Sequence, residues 1–126
     1  MGEQILVVDD EPPLLKMVST YLRRLGYSVT ASGSTENAWA EVAAAPEQFA
    51  VAVLDATMSG IAVEDLAMQM MAASPRLRVI VASGYPVDMT VLKAAAPLRV
   101  VFLHKPFSPK MLAGAVRRML APQEEV

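Results

Sequence analysis

ILVVDDEPP, residues 5–13, runs four apolar residues straight into three consecutive acids. The apolar half has the composition of a strand covered on both faces. The acids repel one another and resist desolvation at the end of such a strand, so something must hold them there. The same grammar returns in FAVAVLD, residues 49–55, where the longest apolar run of the chain ends in Asp55. That run of six is far too short to span a bilayer.

Working outward, five candidate strands emerge: residues 4–8, 28–31, 49–54, 78–82 and 100–103. Helical patterns alternate with them. Residues 12–25 place Leu14, Leu15, Val18, Tyr21, Leu22 and Leu25 at spacings of three and four, with Pro near the start and Gly26 as the stop. Residues 35–44 follow Ser34 as N-cap and stop before Pro46. Residues 63–73 precede Ser74-Pro75, and a weaker helix runs from about 87 to 95 before Pro97. The last, residues 109–120, has Ser108 as N-cap and Arg117-Arg118 in its final turns.

Five βα units in this length predict an α/β fold, a doubly wound five-stranded parallel sheet with helices on both faces. A closed eight-fold barrel needs roughly twice the chain. In the flavodoxin-like strand order 2-1-3-4-5, the switch point lies between strands one and three. The site is therefore expected just after Val8 and Leu54.

The chain has 126 residues, 54% apolar and 19% charged, which fits one globular domain over residues 1–126. Net charge is −2 with both signs mixed along the chain, so no nucleic-acid or acidic-membrane surface is expected. Cysteine is absent, which excludes disulfides and Cys-based metal sites and fits a reducing cytosol. With no targeting segment visible, a cytoplasmic location is expected. Met1-Gly2 and the polar end Gln123-Glu124-Glu125 suit either a stand-alone protein or a domain of a longer one.

The predicted site gathers Asp9, Asp10 and Asp55 from two neighbouring strand ends. Asp9 and Asp10 alone could simply cap the next helix; Asp55 in the matching place favours a cation. Hard oxygen ligands without His or Cys point to Mg²⁺. Ser83-Gly84 and Lys105-Pro106 end the fourth and fifth strands and add a hydroxyl donor and an ammonium. Acids, Mg²⁺, hydroxyl and ammonium around one point suit a phosphoryl group, with Asp55 as nucleophile.

The segments ILVVDDEP, VAVLDATMSG, VIVASGYP and VFLHKPF, in this order and spacing, resemble the receiver domain of two-component response regulators over essentially the whole chain. The resemblance implies a Mg²⁺-dependent phospho-acceptor signalling domain, not an enzyme, with self-catalysed phosphorylation and autodephosphorylation. It implies Asp55 as phospho-acceptor, and Asp9, Asp10, Asp55 and the Thr57 carbonyl as metal ligands. Ser83 matches the switch hydroxyl, Lys105 the phosphoryl-binding lysine and Phe102 the aromatic that changes rotamer. A cis Lys105-Pro106 bond belongs to the same pattern.

The implied partner is a histidine kinase or a histidine phosphotransfer domain, with an apolar docking surface near Pro12, Pro13 and Leu14. The fourth helix, fifth strand and last helix form the face that responds, and a homodimer through it is compatible with the resemblance. VASGYP and LHKPFSP lean toward receivers of hybrid sensor kinases. One loop departs from the family: Ser59 follows Met58 where Pro is usual, and Ala62-Val63 replace an acid or Asn and then Gly.

His104, the single histidine, reads as structural, since a phospho-donor needs an exposed helix face. Met68, Met70, Met71 and Trp39 read as packing. Thr57 and Tyr85 are expected to flank the path of an attacking water, with Tyr85 either shielding that path or simply packing on the surface. An Asp-nucleophile phosphatase would want a second Asp where Thr57 stands, and a cap domain besides. A phosphorylation-independent adaptor is favoured only by the altered 59–63 loop.

Overall fold

The apolar runs at β-strand spacing pair into a single sheet. The computed structural model describes residues 2–121. Its strands are β1 (Gln4–Val8), β2 (Ser28–Ser32), β3 (Val51–Asp55), β4 (Arg78–Ser83) and β5 (Val100–His104), all parallel, in the order β2-β1-β3-β4-β5. The helices are α1 (Pro12–Arg24), α2 (Thr35–Ala44), α3 (Val63–Ala73), α4 (Thr90–Ala95) and α5 (Pro109–Leu120). This is the expected doubly wound fold. Met1 and the Gln123-Glu124-Glu125 end lie outside the described residues.

Side chains alternate across a strand, so the continuous apolar runs feed two cores. Leu6, Val8, Ala52, Leu54, Val79 and Val81 pack with Leu66 and Met70 of α3 and Leu92 of α4. Ile5, Val7, Val51, Val53 and Ile80 pack on the other face with Val18 and Leu22 of α1 and Leu112 and Val116 of α5. Parallel pairing sets Val8 beside Leu54 and Asp55 beside Ala82. Asp9 and Asp55 therefore leave the sheet at adjacent strand ends, at the switch point.

Several boundaries differ from the sequence expectation, each for a local reason. β3 begins at Val51, the register partner of Ile5, and takes in Asp55, while Phe49 is buried in the approach to the strand. α4 starts at Thr90, not 87, because the Asp88 carboxylate accepts the Thr90 N–H at 2.9 Å and closes a turn first. Leu25 is the exposed C-cap of α1, outside the buried stripe, and Gly26 at φ 100° ends the helix as expected. Met70 and Met71 are core, but Met68 is on the surface. Trp39 packs half-buried against the α2–α3 core.

Candidate functional site: an acid cluster at the switch point

Each site residue stands at the carboxyl end of a strand, where the backbone leaves the ladder and can turn its side chain into the crevice. Asp9, Asp10 and Asp55 each bring a carboxylate oxygen within 4.8 Å of the others. Asp9 and Asp55 are buried and Asp10 is exposed, so the cluster opens to solvent on one side. Burial pushes the Asp9 carboxyl above its ordinary value, and the Asp55 and Glu11 charges add to that rise. The Glu11 N–H, which donates to Asp9 Oδ1 at 2.9 Å, and the Lys105 ammonium oppose it.

Glu11 itself is the N-cap residue of α1. The turn closed by its N–H on Asp9 holds it just outside the first helical turn.

Lys105 lies between the two buried acids, with Nζ 3.3 Å from Asp55 Oδ1 and 3.5 Å from Asp9 Oδ2. The Lys105–Pro106 peptide bond is cis, as the resemblance implied. Asp55 Oδ1 also accepts the Thr57 N–H at 3.0 Å and the Thr57 hydroxyl at 2.9 Å. Asp55 Oδ2 is buried and has no hydrogen-bond partner among the described residues. A buried carboxylate oxygen left without a donor costs free energy, and a cation or phosphoryl group there would satisfy it. With an all-oxygen donor set, this orphaned atom makes the residues a good fit to Mg²⁺.

Ser83 is buried at the end of β4, and its Oγ accepts the Tyr85 N–H at 3.0 Å. Its backbone carbonyl accepts the Lys105 N–H at 2.8 Å, which couples the two strand ends. Phe102 is half-buried against the α2–α3 core and meets exposed His104 edge to face, ring centres 6.2 Å apart. The Tyr85 side chain is 71% exposed, projecting from the β4–α4 loop. The bond from the Thr57 hydroxyl to Asp55 was not anticipated from the sequence; a Thr two residues after an Asp was the available signal for a side-chain turn.

The model of the response regulator receiver domain matches residues 5–117. The chain belongs to that family. This receiver domain is 33% identical over 116 residues to the DNA-binding transcriptional regulator NtrC of Azospirillum brasilense, covering 92% of this chain and 24% of NtrC. It is 31% identical over 124 residues to the probable transcriptional regulatory protein TcrX of Mycobacterium tuberculosis, covering 92% of this chain and 49% of TcrX. The chain thus spans about a quarter and about half of these curated relatives.

Among solved structures, the receiver is similar to the BeF3-activated DrrB receiver domain, with 30% identity and a TM-score of 0.77 over 95% of this chain and 98% of that one. Receiver domains are phospho-acceptors that work with histidine kinases or phosphotransfer proteins in two-component signalling. No helix among the described residues is long and apolar enough to cross a membrane.

Proposed function

We propose that this chain is a phospho-accepting switch in which Asp55 receives a phosphoryl group from a phosphohistidine. The observation that carries the reading is the buried Asp55 with one oxygen unpartnered, set beside Asp9, Asp10 and Lys105. In the transfer, a carboxylate oxygen of Asp55 forms a P–O bond as the P–N bond to the donor imidazole breaks. Lys105 shifts toward the new phosphoryl oxygens and offsets their charge, and the Ser83 hydroxyl donates to them. Asp9, Asp10, Asp55 and the Thr57 carbonyl would hold Mg²⁺, whose contribution when bound is to neutralise the phosphoryl oxygens.

Ser83 moving toward the phosphoryl group frees space that Phe102 fills, and the face made by α4, β5 and α5 changes shape. That face serves the output, and a homodimer forms through it if the output needs one. The kinase or phosphotransfer domain docks where Glu11 and Leu14 of the α1 start meet Gly84, Lys105, Pro106 and Phe107 around a cleft of about 310 Å³. The domain works in the cytoplasm as one unit over residues 1–126, binding neither nucleic acid nor membrane directly.

The test is beryllofluoride with Mg²⁺, followed by Trp39 fluorescence and amide shifts. A saturable response in wild type that is lost in Asp55→Asn supports the switch. An unresponsive wild type favours an adaptor, for which the only motive is the Ser59–Val63 loop.

A further inference from the structure

The loop between β3 and α3 carries the Thr57 carbonyl and departs from the receiver pattern at Ser59, where a proline is usual. Proline would hold φ near one value; serine leaves it free, so the loop needs another restraint. One end is held by Asp55, through the Thr57 N–H and hydroxyl. The other end is held from a distant segment. Thr35, the first residue of α2, is 2% exposed, and its Oγ1 accepts the Ile61 N–H at 3.0 Å and lies 3.4 Å from the Ser59 carbonyl.

Its single proton has a nearer acceptor, Glu36 Oε1 at 3.1 Å. Donation to that carboxylate strengthens Oγ1 as the acceptor for Ile61. Gly60, at φ 98°, makes the approach feasible: a Cβ there would collide with Thr35 Oγ1 and sit 2.7 Å from Glu36 Oε2.

The same segment also touches the other half of the acid cluster. The Asp9 N–H donates to the Ser32 carbonyl at 3.0 Å, and Ser32 Oγ donates to the Ser34 carbonyl at 3.0 Å. Ser34 in turn caps α2 by accepting the Asn37 N–H, which fixes Thr35 in the first turn. Residues 32–35 therefore bridge the end of β1, with Asp9, to the loop after Asp55.

We propose that Thr35 is a positioning residue for the divalent cation: its hydroxyl clasps the Ser59–Ile61 turn and keeps the Thr57 carbonyl aimed at the acids, replacing the missing proline. The inference rests on the Mg²⁺ site proposed above. Calorimetric titration of Mg²⁺ into the full chain separates the two. No saturable binding by wild type overturns both.

Where wild type binds, Thr35→Val is expected to bind about five-fold more weakly, the effect of one lost buried hydrogen bond, while Thr35→Ser stays within about two-fold of wild type. Gly60→Ala, on an exposed turn, tests the clasp without replacing Thr35 and decides the matter should Thr35→Val not fold; it too binds more weakly. Amide exchange at Ile61 without metal rises in Thr35→Val and Gly60→Ala, a readout independent of the cation. Wild-type Mg²⁺ affinity in Gly60→Ala or Thr35→Val, or Thr35→Ser as weak as Thr35→Val, overturns the proposal.

Discussion

At the residue scale the site is a set of charges held in partial imbalance. Lys105 serves two buried carboxylates at once, and Asp55 keeps one oxygen with no donor. Asp9 shows the consequence: desolvation raises its carboxyl above the ordinary value. In metal-free protein its folded form then holds the proton more tightly than the unfolded chain does. Its share of stability is fully present below the ordinary carboxyl range and is lost as pH rises through the raised folded value.

Asp9→Asn removes that penalty while its amide oxygen can still accept the Glu11 N–H. Urea unfolding with chelator present is expected to find Asp9→Asn more stable than wild type at neutral pH, with the gap closing in acid. An unchanged or widening gap in acid would contradict the assigned cause. The strand ends carrying Asp9, Asp10, Asp55, Ser83 and Lys105 were legible, because Asp9, Asp55 and Ser83 each follow an apolar run directly and Asp10 and Lys105 stand one residue further on. Thr35 was not: its bond from the Ile61 N–H reaches 26 positions along the chain, a pairing that no local pattern encodes.

At the scale of elements, caps and turns decide where helices begin. Ser34 and Ser108 both accept the amide three residues on, at 3.0 Å, as a Ser before a helical run predicts. Ser108→Ala is expected to lower stability by about 1 kcal/mol in denaturant unfolding, with little change in Mg²⁺ binding, since its contact is local to α5. A loss well below this would mean that α5 is held by Leu112 and Val116 packing alone. α4 was the element read least well. Its six residues carry too little periodicity, and Asp88 delays its start with a side-chain turn that competes with the helix.

For the whole molecule, the parallel sheet does two things with one set of residues. Alternate side chains of β1, β3, β4 and β5 feed a core on either face, and the strand ends assemble the acids at the switch point. The alternation explains why the fold was readable: runs such as VAVL make sense only when both faces are covered. Ile80 is fully buried in β4, so Ile80→Ala is expected to cost about 2–5 kcal/mol in a single cooperative unfolding transition. Mg²⁺ bound only by the folded chain raises the midpoint of thermal unfolding, and chelation reverses it.

Intact-mass measurement after incubation with Mg²⁺ and a small acyl phosphate tests the central claim most directly. One phosphoryl group per chain in wild type, absent without Mg²⁺ and absent in Asp55→Asn, is the expected result. An unmodified wild type, or an adduct that persists in Asp55→Asn, would contradict the role given to Asp55.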